Sequence, residues 1–257
     1  MKQFIVDTFT QEIFKGNPAA VCILDSKLPE EIMLKIAQEN NLSETAFAIK
    51  NGDYYDLRWF TPKAEIELCG HATLATSFIL KNFYEPKANT FKFKTLSGIL
   101  SVSTQDNLLS MDFPTIEIKE ISQNPEFKKA IGKNVSEAYL GADLILVLNN
   151  EEDIFNLKPN QDQIKELPGL CLHVTAKSKK YDCITRTFAP KCNIVEDPVC
   201  GRAHAHLIQI WAKKLNKNNI HAYQASSRGG ELFCTYNQER TIISGYATLY
   251  SSSDLNL

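Results

Sequence analysis

Arg58-Trp59-Phe60-Thr61-Pro62-Lys63, followed by Cys69-Gly70-His71-Ala72, is echoed in the second half of the chain by Arg186-Thr187-Phe188-Ala189-Pro190-Lys191 and Cys200-Gly201-Arg202-Ala203. The first block recurs at an offset of 128 residues (186 − 58) and the second at 131 (200 − 69). The extra residues fit a longer loop over 193–198. Weaker echoes lie on either side: Thr45-Ala46 with Thr175-Ala176, Tyr55-Asp56 with Tyr181-Asp182, and Ser97-Gly98 with Gly229-Gly230. Collinear matches at nearly one offset mark an internal duplication. Each repeat reads as an extended segment (55–61; 181–189), a proline-marked loop, a Cys-Gly step and a helix (72–82; 203–214). Both helices are apolar around most of their circumference, which predicts burial on several sides.

Strand candidates surround the two helices at 3–9, 19–24, 90–94, 98–103, 108–112, 144–148, 232–236 and 241–250. Pro29-Glu30-Glu31 opens a further helix to Glu39. The expected fold is α+β, with two pseudo-repeated domains, each a barrel-like β-sheet wrapped around a central helix. The expected domains are residues 1–112 and 113–257, the last strand being a candidate to return to the first.

Composition narrows the partners. Of the 257 residues, 44% are hydrophobic and 23% charged, enough for a sizeable core, and the net charge of −2 comes with no Lys/Arg block. Nucleic acid and membrane surfaces are therefore excluded as expected partners. Asp7 and Glu12 interrupt any apolar run near Met1, and no stretch reaches transmembrane length, so a cytoplasmic location is expected. The 7 cysteines are scattered with no C-x-x-C pair, which fits free thiols in a reducing compartment. The 5 histidines form no metal-ligand pattern, and His204 and His206, two apart on a helix, point to different faces. No phosphate-binding glycine loop, dinucleotide fingerprint or G-x-S-x-G elbow is present. The expectation is chemistry without metal or cofactor.

The Cys-Gly steps carry the first chemical signal. They place Cys69, Gly70 and Ala72, and Cys200, Gly201, Arg202 and Ala203, at helix N-termini, where unpaired N–H groups and the helix dipole favour a carboxylate ligand. The same field lowers a thiol's pKa. The second signal is Asn41-Leu42-Ser43-Glu44-Thr45-Ala46-Phe47, where Glu44 enters an apolar run and burial would raise its pKa toward the range useful for proton transfer. The aligned stretch Leu172-His173-Val174-Thr175 has no carboxylate, and that asymmetry points to Glu44. Asp197, in Glu196-Asp197-Pro198-Val199, is placed to orient an imidazole, to accept from a substrate amine or to cap the loop. His71 is placed as a proton relay. Gly16-Asn17-Pro18 is a turn with Asn17 a candidate to face the site, and Arg228-Gly229-Gly230 is another turn.

These blocks, together with Asp7-Thr8-Phe9 and Gln224-Ala225-Ser226-Ser227-Arg228-Gly229-Gly230, resemble the phenazine-biosynthesis-protein-F-like (PhzF-like) family, in the family's order and over nearly the whole chain. The resemblance implies the diaminopimelate-epimerase-like fold with its site in the cleft between the two domains, frequent homodimers and no cofactor. It also implies a proton-moving isomerase like the enzyme acting on a dihydro-hydroxyanthranilate in phenazine synthesis. Glu44 matches the family's acid/base glutamate, and His71 and Asp197 match polar residues lining its site. Where the family usually continues Thr-Gly-Ser after Asp197-Pro198-Val199, this chain has Cys200-Gly201-Arg202. That departure points to a different acid, with a second carboxylate for Arg202 to pair.

The expected function is therefore a cofactor-independent isomerase moving a proton on carbon of a small carboxylate-bearing metabolite, with Glu44, His71 and Asp197 catalytic. Asn17, Gly70, Ala72, Gly201, Arg202 and Ala203 are expected to bind substrate. Two alternatives stand beside it: a two-cysteine racemase or epimerase using Cys69 and Cys200, and a non-catalytic small-molecule-binding protein of the same fold.

Overall fold

Alternation fixes the strands. In Thr90–Thr95, Phe91 and Phe93 point inward while Lys92 and Lys94 point to solvent, the period of two that makes one sheet face apolar. The computed structural model describes residues 1–257 as α+β, divided into two compact units: residues 1–112 with 244–257, and residues 113–243. The chain passes from one unit to the other within Leu108–Pro114 and returns within Arg240–Gly245.

In the first unit, Lys2–Thr8 pairs antiparallel with both Ala247–Asp254 and Asn17–Leu24. Asn17–Leu24 runs parallel to Thr45–Asn51, which is antiparallel to Tyr54–Phe60. Tyr54–Phe60 takes the two-residue strand Glu65–Ile66 antiparallel and Thr90–Thr95 parallel, and Gly98–Gln105 and Leu108–Pro114 follow as a meander. The helix Gly70–Ile79 packs on the strands Lys2–Thr8, Asn17–Leu24 and Thr45–Asn51 and is buried from His71 through Ser77. It therefore has to hide hydroxyls as well as methyls. Thr73, Thr76 and Ser77 donate to the carbonyls four residues back, at 2.6, 2.8 and 2.9 Å. The helix continues into a wider turn at Leu80–Tyr84.

The second unit repeats this order of pairings. Lys119–Ile121 and Leu144–Val147 flank Glu137–Leu140 antiparallel. Leu144–Val147 is parallel to Leu172–Lys177, which is antiparallel to Cys183–Ala189. Cys183–Ala189 takes the short strand Ile194–Asp197 antiparallel and Asn219–Gln224 parallel, and Gly230–Tyr236 follows. The helix is Gly201–Leu215, packed on Asn219–Gln224 and Gly230–Tyr236.

The repeated arginines explain why the motif recurs. Arg58 forks onto Glu65, both bonds at 2.6 Å, and Arg186 forks onto Glu196 at 2.7 and 2.8 Å. Each guanidinium also lies 5.2 Å from a ring centroid, over Phe60 and over Phe188. In each unit this bidentate pair ties the short strand before the Cys-Gly step to the long strand beside it.

Two expectations need correction. Thr45 pairs with Phe60 and Leu172 with Phe188, so Thr45 corresponds to Leu172, an offset of 127 (172 − 45), and not to Thr175. The short Thr-Ala echo matched by composition, while the register is set by which residues face the core. The expected strand 241–250 is two strands, Arg240–Gly245 and Ala247–Asp254. Three short helices also went unread: Pro125–Ile131, Glu151–Phe155 and Gln161–Glu166. Each starts from an asparagine whose side chain accepts a first-turn N–H (Asn124, Asn150, Asn160). No helix is long and apolar enough to cross a membrane.

Leu74 is fully buried on the central helix of the first unit, whereas Leu68, just before that helix, is 46% exposed. Leu74→Ala is expected to cost about 2–5 kcal/mol in urea unfolding. Leu68→Ala should stay within about 0.5 kcal/mol of the parent.

Candidate active site

Cys69 turns from extended backbone (φ −143°, ψ 105°) directly into the helix and provides no side-chain cap. The first N–H groups, of Gly70, His71 and Ala72, therefore lack intrahelical acceptors; the Ala72 N–H turns to the Cys69 sulfur. Glu44 ends the loop before Thr45–Asn51, where its carbonyl accepts the Ala20 N–H at 3.2 Å. That anchor delivers the Glu44 side chain to the helix start. Glu44 and His71 are buried, with Glu44 Oε2 3.1 Å from His71 Nε2 and His71 Nδ1 3.5 Å from Cys69 Sγ. The Nε2–Oε2 approach is close but poorly aligned, so neither atom has a well-directed hydrogen bond within the protein. A buried carboxylate and imidazole left with spare hydrogen-bonding capacity are suited to a ligand's proton. Asn17, also expected here, is buried in the same unit, its carbonyl accepting the Thr8 hydroxyl at 2.9 Å.

The second unit builds a different group at the equivalent helix start. Cys200 precedes the helix Gly201–Leu215, and its N–H donates to Gln224 Oε1 at 2.9 Å. Arg202 stands where His71 stands, and by strand register Cys171 stands where Glu44 stands. The carboxylate comes instead from Asp143, the residue before Leu144–Val147. Arg202 Nε donates to Asp143 Oδ2 at 2.7 Å and Nη2 to Oδ1 at 3.1 Å. His173 Nε2 lies 3.1 Å from Oδ2, the Cys171 N–H donates to Oδ1 at 3.2 Å, and His206 Nε2 lies 3.6 Å from Oδ2. The absence of a carboxylate in 172–175 thus does not leave this half without one. Asp197 accepts the Val199 N–H at 3.1 Å, the turn role expected among its readings. Gly201 and Ala203 are buried.

Asp143, His173 and His206 escaped the sequence reading. The signal used for Glu44, a lone carboxylate entering an apolar strand, is equally present in Asp143-Leu144-Ile145-Leu146-Val147.

A family model described as phenazine biosynthesis-like protein matches residues 6–253. The chain belongs to the phenazine biosynthesis-like family. A Pseudomonas aeruginosa relative named an uncharacterized isomerase is 42% identical over 254 residues, covering 99% of this chain and 98% of the relative. A solved PhzF-family phenazine biosynthesis protein from Enterococcus faecalis is 48% identical, with TM-score 0.98 over 100% of this chain and 99% of its own. A probable proline racemase from Agrobacterium radiobacter superimposes with TM-score 0.63 over 100% of this chain and 93% of its own at 10% identity, a likeness of epimerase-like fold alone.

Burial sets the electrostatics of this family member. It pushes the Cys69 thiol up, reinforced by the Glu44 charge, and pushes Cys200 well up, reinforced by Asp197. The expectation that the helix N-termini lower these thiols is overturned, because desolvating a thiolate costs more than one helix end returns. Burial alone would depress the His71 imidazole, but its contacts with Cys69 and with the Glu44 carboxylate outweigh it and hold His71 well above its ordinary value. Two clusters, Glu44–Cys69–His71 and Asp143–His173–His206, each bring three possible metal-ligand atoms within 4.8 Å. In the second, the Arg202 guanidinium on the same Asp143 oxygen puts positive charge where a cation would sit.

The folded protein holds the His71 proton more tightly than the unfolded chain. This couple therefore stabilises the fold fully below the ordinary imidazole value of 6.5 and loses that contribution as pH rises through the raised folded value. Stability in urea is expected to decline from pH 6.5 upward, already below the ordinary thiol value of 9.0 at which the buried cysteines begin to add to the loss. His71→Asn should flatten the decline within that window. An unchanged slope would contradict the raised imidazole.

Proposed function

We propose that this protein is a cofactor-independent isomerase that moves a proton between carbons of a small carboxylate-bearing metabolite, with Glu44 as its acid/base. One observation carries the reading: a carboxylate and an imidazole, buried 3.1 Å apart beside the first turn of a buried helix, with Glu44 Oε2 and His71 Nε2 each lacking a well-directed hydrogen bond within the protein. The family's isomerase-named relatives support the same reaction class.

In this reading the N–H groups of Gly70 and His71 hold an anionic group of the substrate. Glu44 removes a proton from carbon as the C–H bond breaks. The electron pair moves into the neighbouring π-system, the double bond shifts, and a proton is delivered to another carbon. Either Glu44 gives back the proton it took, or protonated His71 gives its own and is reprotonated by Glu44, whose Oε2 lies 3.1 Å from His71 Nε2. Substrate and product are isomers, and no oxidant, reductant or co-substrate enters the balance. Positioned proton transfer of this kind contributes on the order of 10²- to 10⁴-fold in rate. Cys69 and Cys200, kept as thiols by burial, are spectators.

The test is deuterium incorporation at carbon in D₂O, over a panel of amino acids, hydroxy acids and dihydroaromatic amino acids. Glu44→Gln is expected to lose exchange by about 10²-fold or more, while Cys69→Ser and Cys200→Ser retain it. Exchange surviving in Glu44→Gln but lost in either serine variant would replace this mechanism with a two-cysteine one. Binding without exchange would leave a binding protein of this fold.

A further inference from the structure

The duplication places a side chain at the start of each unit's central helix and brings a carboxylate to it, but the two pairs differ in kind. His71 with Glu44 joins two groups able to exchange a proton. Arg202 with Asp143 cannot work that way. The guanidinium stays protonated, and its bonds to Asp143 raise its pKa further. Although burial works in the opposite direction, hydrogen bonds from His173 and Arg202 hold the Asp143 carboxyl well below the usual carboxylate range. The second pair is therefore permanently charged, which suits binding and not proton transfer.

Its geometry shows which part is available. A guanidinium has a side edge, Nε with one terminal nitrogen, and an end edge formed by the two terminal nitrogens. Asp143 occupies the side edge through Nε and Nη2. Nη1 donates to no acceptor in the protein, and the Arg202 side chain is 44% exposed while Asp143 is fully buried. Asp143 is itself held by His173 Nε2 and the Cys171 N–H, and His173 Nδ1 lies 3.2 Å from the Thr187 hydroxyl. The fork is thus fixed from below. The nearby thiols add no competing negative charge: burial pushes Cys171 up to about 12 and Cys200 well above its ordinary value.

We infer that Arg202 is a preset carboxylate receptor, held by Asp143 and His173 with its end edge open, which takes a carboxylate group in a bidentate pair. The inference goes beyond the proposed isomerase reading and does not depend on it: the ligand class it names for this unit is the carboxylates. A bidentate pair asks for a planar acceptor with two oxygens, so carboxylate should be preferred to a spherical anion.

The probe is sodium acetate, titrated into protein labelled with ¹⁵N-arginine and compared with sodium chloride at equal ionic strength. The Arg202 Nε–Hε resonance is assigned by its loss in Arg202→Lys. A saturable shift with acetate and not with chloride is expected. Arg202→Lys keeps a cation for the buried Asp143 but lacks the fork. Followed through backbone amides of the helix start, it should bind acetate about 10- to 100-fold more weakly. A response that does not saturate, that chloride reproduces, or that persists at equal affinity in Arg202→Lys would overturn the inference. Repeating the titration in Glu44→Gln separates the two readings. Acetate binding retained there with carbon exchange lost supports both. An unresponsive Arg202 beside intact, Glu44-dependent exchange removes this inference alone.

Discussion

The constraint from which the rest follows is the burial of a helix start. Gly70–Ile79 packs against its own sheet and is buried from His71 through Ser77, so its first turn has little water to satisfy it. Every polar group there must find a partner within the protein or be left for a ligand. His71 is inside because the helix is inside, and a buried imidazole without a partner would lose its proton. Glu44, delivered by the loop before the neighbouring strand, reverses that tendency. The pair is a structural remedy for burial, and in the proposed reaction it is also what moves the proton.

The second unit solves the same problem with different chemistry. Its helix start carries Arg202, partly exposed and permanently charged, over a carboxylate that is fully buried and has to be held by its contacts. Asp143 meets that requirement through contacts with Arg202, His173 and the Cys171 N–H. Duplication supplied two copies of one scaffold. The residue after each Cys-Gly step then decided whether the copy became titratable or permanently charged. The bidentate Arg–Glu tethers, by contrast, were retained in both copies, because they hold the short strand that leads into the helix whatever follows it.

The cysteines at the two helix starts show how close the competing mechanism lies in sequence and how far in energy. A thiol at a helix N-terminus invites a thiolate, and the epimerase-like fold is shared with a protein titled a probable proline racemase. Here both sulfurs are almost wholly enclosed, Cys69 at 6% and Cys200 at 9% exposure. The desolvation penalty for a thiolate then exceeds the ~0.3–2 kcal/mol that one helix end provides.

By itself the sequence determined the duplication, the α+β class and the two buried helices, and singled out Glu44 and His71 as candidates. Each is written in a short local string: a turn, a cap, an apolar period, or a carboxylate at the mouth of an apolar strand. Tertiary structure alone decided that Thr45 answers Leu172, and therefore that the second copy of the Glu44 position is Cys171. It alone brought Asp143 to Arg202, 59 residues away in the chain, and turned His173 and His206 toward the same carboxylate. Those contacts depend on strand register and on which side chains the core accepts. A shift of one residue in Leu172–Lys177 would send His173 to the opposite face of the sheet, and no local string records that choice.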